Sequence, residues 1–354
     1  MNPKNKTFSL KVTSKDVAAL VGVSQSTVSR VLNTSSESGF ISKETADRVR
    51  AAAEQLGYSP NPIARALRGE KTNLIGLVVR EISDPFFAGL IEAISFEAKA
   101  RGLNVVLGHV HGDPYEGLKL THVLDSRQCD GMVFVGDLRD DQGVLQTVVR
   151  EKRPVVTLCR GKRDANVPVV NCDNSAGVRM ILEHLLSNQH KYITFVDGGW
   201  FGDIRERRDS FLAYKQQHGL DALNWIQAEE NSFGGGYRVM QNLLSLSQRP
   251  TAVMAADDAM AIGIIKAIHD AGLRIPQDIS VVGFDDIPIA QYTYPSLTTV
   301  RQPIEKMAKR SLEILIDQIS HNTPETGTMV ELLMPELVIR ESSGTAPQGQ
   351  ELNH

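Results

Sequence analysis

The sequence predicts a small all-α N-terminal unit followed by a larger α/β unit of two lobes, and three observations carry that prediction. Apolar residues between Thr13 and Leu56 recur at helical spacing in three short bursts separated by turn signals. From Asn73 to about residue 300 the texture changes to short β-branched runs alternating with amphipathic stretches, as parallel strands buried on both faces and linked by helices require. Charge divides the same way: residues 1–72 carry 11 Lys/Arg against 6 Asp/Glu, a surplus of +5, which leaves −9 on the remainder of a chain whose net charge is −4.

At 354 residues the chain is too long for one ordinary core. No apolar run approaches the roughly 18 residues of a membrane span. The N-terminal MNPKNKTFSLKVTSKDV lacks the apolar stretch and cleavage pattern of a secretory signal, so the expected location is the cytoplasm, with no membrane partner. Cys129, Cys159 and Cys172 are odd in number, have no metal-type spacing and lie in or beside strand-like runs, which makes them core filler. A basic unit beside an acidic one suits a DNA reader with a separate second domain, because phosphate contacts supply much of the affinity for DNA.

Within the first unit, Thr13-Ser-Lys-Asp16 is a capping arrangement for a helix with Val17, Leu20 and Val21 on one face, ended by Gly22. Ser24 caps a second helix carrying Val28, Val31 and Leu32, and Ser42 a third carrying Ala46, Val49 and Leu56. Helices this short are unstable alone and must share a core. A helix, a Gly-containing turn and a second helix that opens on small polar residues form the helix-turn-helix geometry, which lays the second helix in the major groove. Gln25, Ser26, Thr27, Ser29 and Arg30 fall in its first two turns, with Thr13, Ser24 and Asn33 alongside. Gln pairs bidentately with adenine and Arg with guanine, each good pair discriminating by roughly 1–3 kcal/mol, while Ser and Thr reach bases or phosphates.

Next, Ser59-Pro-Asn-Pro-Ile-Ala-Arg-Ala-Leu-Arg-Gly69 reads as a hinge helix of barely two turns, with Asn61 as cap, Pro62 first and Gly69 as stop. It is too short to stand unsupported, so it forms only against a partner or DNA.

The larger unit contains LIGLVV at 74–79, a helical pattern over 86–101, NVVLGHV at 104–110, and then GMVFV, PVVTL, YITFV, AVMAA and SVVGF. About ten such strands exceed what one doubly wound sheet usually holds, which implies two lobes. The expected organisation is a headpiece over 1–59, a hinge over 60–72 and a two-lobed domain over 73–341, followed by a disordered polar tail over 342–354. Lobe 1 is expected at about 73–172 plus 301–330, and lobe 2 at about 173–300 plus 331–341.

Several chemistries are discounted. His109 and His111 alternate along a strand and share a face, but no third ligand is evident in the sequence, so no metal is expected. Gly234-Gly-Gly236 lacks the spacing of a phosphate loop and reads as a helix start. There is no G-x-S-x-G and no H-E-x-x-H, and neither an enzyme nor a cofactor is expected.

The stretch VTSKDVAALVGVSQSTVSRVLN resembles the headpiece of the LacI/GalR family of bacterial regulators, the lactose-repressor relatives. The resemblance continues through SKETADRVRAAAEQLGYSPNPIARALRG, NLIGLVVREISDPFFAGLIEAI and VVGFDDIPIAQYTYPSLTTVRQP, and so spans nearly the whole chain. It implies a type I periplasmic-binding-protein-like fold for the two-lobed domain, with the effector in the cleft at the carboxyl ends of the strands. The loop Asn33 to Ser42 is about three residues longer than is common in the family.

By position, the resemblance carries over Leu67 in the hinge as the minor-groove wedge, with Asn61 and Ala64 as further DNA-binding candidates. Prying open a base step costs on the order of a few kcal/mol, and the bent duplex then meets more protein. Phe86 and Phe87 in DPFF, Arg207 in RERRDSF and Asp285 in GFDD match effector-contacting positions; Asp203, Arg205 and Asp257 are further candidates, the two aspartates adding acceptor capacity. Aromatic rings with Arg and Asp suit a polyhydroxyl ligand, hence a sugar. Asp257 stands where Asn is commoner and Asn231 where some members place an aromatic, so extra hydroxyls or a cationic group on the ligand fit better than a phosphate.

The expected function is therefore a transcriptional repressor that binds double-stranded operator DNA, near-palindromic, as a homodimer or higher oligomer under small-molecule control. The alternatives are a solute-binding module without DNA function and an α/β enzyme.

Overall fold

The computed structural model describes residues 12–33, 41–58, 71–111, 113–126, 129–137, 142–161, 167–199, 201–220, 224–321 and 329–347. The chain separates into two compact units at Thr72/Asn73.

The first unit has three helices, α1 (Ser14–Val21), α2 (Gln25–Asn33) and α3 (Lys43–Gln55). Local chemistry sets each boundary. The Asp16 carboxylate accepts from both the amide and the hydroxyl of Thr13 at 2.8 Å, tying the first turn of α1 to the residue before it. Gly22 ends α1 in the left-handed region, φ 76°, where a residue with a Cβ is strained. Ser24 Oγ accepts from the Thr27 amide at 3.1 Å and Ser42 Oγ from the Thr45 amide at 3.2 Å, so both predicted caps form.

Val17, Ala18, Val21, Val28, Val31, Val49, Ala52 and Ala53 make one buried cluster. The Arg48 guanidinium on α3 donates to the Val21 carbonyl at 2.8 Å, neutralising an orphan acceptor at the α1 terminus. Leu20, expected in this core, is instead 51% exposed: the buried face of α1 is made by Val17, Val21 and Ala18, and Leu20 lies on the far flank of that stripe.

The second unit contains two parallel sheets. Sheet order in the first lobe is β11-β5-β4-β3-β1-β2, from β1 (Leu74–Val79), β2 (Asn104–His109), β3 (Gly131–Val135), β4 (Val155–Leu158), β5 (Val169–Cys172) and β11 (Val330–Leu333). The second lobe has β7-β6-β8-β9, from β6 (Ile193–Asp197), β7 (Asn224–Gln227), β8 (Ala252–Ala255) and β9 (Ser280–Val282). Strands β3, β6 and β8 are buried throughout, as the unbroken apolar runs require. The edge strands β2 and β7 are mostly exposed or half-buried.

Between these strands run α4 (Pro85–Ala100), α5 (Pro114–Ser126), α6 (Gln142–Arg150), α7 (Asn174–Ser187), α8 (Gly202–His218), α9 (Phe233–Leu244), α10 (Asp258–Asp270) and α11 (Ile304–His321). Antiparallel β10 (Thr299–Arg301) and β12 (Glu336–Val338) mark where the chain crosses between lobes.

The GGG segment does open a helix: Ser232 Oγ caps α9 through the Gly235 amide at 3.0 Å. It also has a second role. A Cβ on Gly235 or Gly236 would strike the carbonyl oxygens of Glu230 and Met260, and one on Gly263 that of Phe233, so the glycines let α9 and α10 pack backbone to backbone.

Two expectations are corrected. Residues 330–333 pair with β5, so the return to lobe 1 extends three residues past 330. The tail does not begin at 342. Ser342 is fully buried, its carbonyl accepts from the Val281 amide at 2.8 Å and its amide donates to Ser296 at 2.9 Å. The Gly344 amide donates to Ser280 Oγ at 3.1 Å, and the Ala346 amide to Asn188 at 2.8 Å. Backbone groups hold this polar segment against lobe 2, and side-chain periodicity carries no record of backbone pairing.

Candidate functional site

The DNA-reading candidates cluster on α2 and the turn before it. Ser24, Gln25, Ser26 and Arg30 are exposed, Thr27 and Ser29 are half-buried, and Thr13 is exposed at the start of α1. Val28 and Val31 face the core, which turns the opposite face of α2 outward. The Ser24 hydroxyl lies 2.7 Å from Ser26 Oγ and 2.9 Å from Thr27 Oγ1, so the first turn presents a linked set of hydroxyls. Asn33 closes α2 with its side chain outside the described residues, as are Asn61, Ala64 and Leu67 of the hinge.

In the second unit a cavity of about 760 Å³ opens between the carboxyl ends of the two sheets, the place where open α/β sheets bind ligands. Lobe 1 contributes Arg80, Glu81, Ser83, Asp84 and Pro85 after β1, and His111 and Asp113 after β2. Lobe 2 contributes Gly198, Gly199 and Phe201 after β6, the run Gln227 to Phe233 after β7, and Ala259. Among the described lining residues five are carboxylates (Glu81, Asp84, Asp113, Glu229 and Glu230) and one is a guanidinium, Arg80. Two aromatic rings, Phe201 and Phe233, complete the wall.

None of the seven sequence-expected effector residues lines this open cavity; Phe87, Asp203 and Asp257 touch its lining residues from behind. Phe86 and Phe87 are 5% and 0% exposed and pack with ring centroids 5.4 Å apart. Asp203 is buried, 3.7 Å from Arg80, whose guanidinium lies over the rings of Phe201 at 3.9 Å and Phe87 at 4.6 Å. Arg205 is half-buried on α8. The Asp257 carboxylate caps α10 through the Met260 amide at 2.8 Å and accepts from Asn231 Nδ2 at 2.6 Å. Arg207 and Asp285 pair at 3.2 Å.

Arg207 also donates to Asn174 Oδ1 at 2.9 Å and to the Ala256 carbonyl at 2.6 Å, and its guanidinium lies 3.7 Å from the Phe284 ring. Missed by sequence reasoning were Arg80, Glu81, Ser83 and Asp84. The signal was available, since they directly follow the first strand at its carboxyl end.

Electrostatics follow from this crowding. Burial pushes the Asp84 carboxyl up to about 6, with the Asp257 charge adding and Arg80 opposing. Burial likewise raises Asp257 against the Met260 and Asn231 hydrogen bonds, and Asp285 against the pull of Arg207. Desolvation acts to lower Arg207, but Asp285 and Asp203 outweigh it and the guanidinium stays charged. A cation entering this site would relieve repulsion, and an anion would add to it.

The lobes touch where two glycines meet. The Asp137 carboxylate after β3 accepts from the Gly202 amide at 2.6 Å and the Gly161 amide at 3.4 Å. A Cβ on Gly161 would sit 2.8 Å from Gly202 Cα. His109 and His111, expected to lack a third ligand, acquire one from the fold: Glu81 brings its carboxylate within 4.8 Å of both imidazoles.

A helix-turn-helix unit joined to a two-lobed domain with a cleft at its strand ends defines a ligand-responsive DNA-binding regulator. Residues 13–61 match the model for bacterial regulatory proteins of the lacI family, and residues 182–343 the periplasmic binding protein-like domain. The transcriptional regulator GalS of Salmonella typhimurium is 35% identical over 333 residues, covering 94% of this chain and 96% of the relative. The transcriptional repressor PurR of Erwinia tasmaniensis is 32% identical over 338 residues, covering 95% and 98%. A crystal structure of the Lac repressor dimer bound to operator and the anti-inducer ONPF superposes with a TM-score of 0.82 at 28% identity, covering 94% of this chain and 99% of that one. The chain belongs to the lacI family of bacterial regulatory proteins and is a DNA-binding transcriptional regulator. No helix among the described residues is long and apolar enough to cross a membrane.

Proposed function

We propose that this protein is a cytoplasmic repressor, not an enzyme, that binds a near-palindromic operator as a homodimer and is controlled by a small polyhydroxylated effector, sugar-like and carrying a cationic group. The α2 residues Gln25, Ser26, Thr27, Ser29 and Arg30 read base edges. Thr13, Ser24, Asn33, Asn61 and Ala64 position the backbone, and Leu67 wedges the minor groove. The Lac repressor dimer bound to operator supports the stoichiometry by likeness.

The observation that carries the effector reading is the cavity between the lobes, with five carboxylates and one guanidinium on its wall beside the rings of Phe201 and Phe233. Carboxylates accept from hydroxyls and ammonium groups, and aromatic faces stack on the apolar side of a pyranose. Phe86, Phe87, Asp203, Arg205, Arg207, Asp257 and Asp285 stand off the cavity wall in the present arrangement and reach a ligand when the lobes separate. Ligand then changes the lobe angle and, through it, the spacing of the two hinge segments, which couples the sites.

A thermal-shift panel of neutral, amino and phosphorylated sugars tests this reading. A ligand at 100 times its Kd adds about 2.7 kcal/mol. Amino sugars are expected to raise the melting temperature most; a shift by phosphorylated sugars alone would remove the cationic-ligand reading.

A further inference from the structure

We propose that Glu81, His109 and His111 form a binding site for a divalent transition metal of the zinc class at the mouth of the interlobe cavity. Strands β1 and β2 are parallel neighbours with Val79 opposite His109, so the residues just beyond their carboxyl ends emerge side by side. His111 leaves the strand in the left-handed region, φ 47°, and its ring folds back to 3.7 Å from that of His109. All three ligand atoms lie within 4.8 Å of one another.

The spacing suits a metal. Ligands at about 2.0–2.2 Å from a tetrahedral zinc sit roughly 3.4 Å apart. His109 Nε2 and Glu81 Oε1 are already 3.4 Å apart, and a ring nitrogen of the exposed His111 lies within 4.8 Å of both ligand atoms. His109 Nε2 is buried and makes no hydrogen bond, with the Glu81 carboxylate at 3.4 Å as its charged neighbour, so an ion held between the two would satisfy both. The Ser83 amide and hydroxyl donate to Glu81 Oε1 at 3.1 and 2.9 Å, orienting the carboxylate as outer partners of metal ligands do.

Two imidazoles and one carboxylate fill three tetrahedral positions and suit zinc, nickel or cobalt over calcium or magnesium. Glu81 and His111 line the cavity, so the fourth position opens towards it. Metal and organic effector are thereby separable: the site is complete without any sugar.

The test is isothermal titration of untagged, chelator-treated full-length protein with zinc chloride, no sugar present, followed by cobalt substitution and visible spectroscopy. The expected result is one zinc per chain and a cobalt d–d band of four-coordinate intensity, with His109→Ala and His111→Ala each weakening binding by at least about tenfold. Circular dichroism checks that the variants remain folded, and Glu81→Gln, which keeps the volume, provides a third arm. Absence of zinc binding, or equal affinity in wild type and in folded His111→Ala and Glu81→Gln proteins, would overturn the proposal.

Discussion

Arg207 and Asp285 meet 3.2 Å apart with side chains 2% and 7% exposed, forming a buried ion pair beneath the cavity. Gln302 Nε2 donates to Asp285 Oδ1 at 2.6 Å, so both charges sit inside a hydrogen-bonded framework. Breaking one partner of such a pair leaves a buried charge alone and costs about 3–5 kcal/mol, whereas removing both costs less than the sum. Arg207→Ala is expected to lower stability by that amount and to lose the response to effector, with Arg207→Ala/Asp285→Ala less destabilised than the two singles predict. Urea unfolding of the four proteins measures the coupling; strict additivity would mean the pair is not a unit.

The contact between Gly161 and Gly202 admits no side chain. A Cβ on Gly202 would collide with Asp137 Oδ2 and lie 2.5 Å from Gly161 N. Gly202→Ala is expected to push the lobes off their present spacing, at a cost of about 1–3 kcal/mol, and to alter effector affinity more than operator affinity. Titration with effector in the absence of DNA reads the effect, and an unchanged Kd would show that the lobes open elsewhere.

Asp258 gives stability a pH dependence of known sign. Its carboxyl accepts from the Ile287 amide at 2.9 Å and from Thr299 Oγ1 at 2.5 Å. Burial pushes it from 3.8 up to about 8, opposed by these two hydrogen bonds. A raised native pKa means that the native state binds a proton the unfolded state has released, so this contribution is full below about pH 4 and is lost as pH rises through 8. Asp258→Asn mimics the neutral acid. It is expected to flatten the fall in melting temperature between pH 6 and 8; an unchanged slope would assign that fall to other groups.

Asp84, pushed up to about 6 by burial beside Asp257, links ligand charge to protons. A cationic effector would favour its ionised form, so binding at pH 6 is expected to release protons. Calorimetry in two buffers of different ionisation enthalpy gives the sign directly, and proton uptake would contradict a cationic ligand.

Much of this was legible from residues whose meaning is local. Thr13, Gly22, Ser24 and Ser42 state the helix boundaries through backbone chemistry, and the runs LIGLVV, GMVFV and AVMAA state the buried strands. What escaped depends on partners far along the chain. Leu20 is apolar yet exposed because the packing of α1 turns its Ala18 flank inward. Phe86 and Phe87 sit under the cavity while Phe201 and Phe233, on other elements, take its wall. Glu81 joins His109 only because β1 and β2 are neighbours. Ser342 is held by the backbone of β9, a pairing its polar surroundings do not reveal.

Selection from random duplex DNA by the purified full-length chain, with Gln25→Ala in parallel, measures whether α2 reads base edges. The expected outcome is enrichment of a two-fold symmetric site bound at least about a thousandfold more tightly than random competitor at physiological salt. Gln25→Ala should relax the preference at one symmetric base-pair position by roughly 1–3 kcal/mol without changing the salt slope. Recovery of no preferred sequence, or of one that Gln25→Ala and Arg30→Ala leave equally well bound, would contradict it.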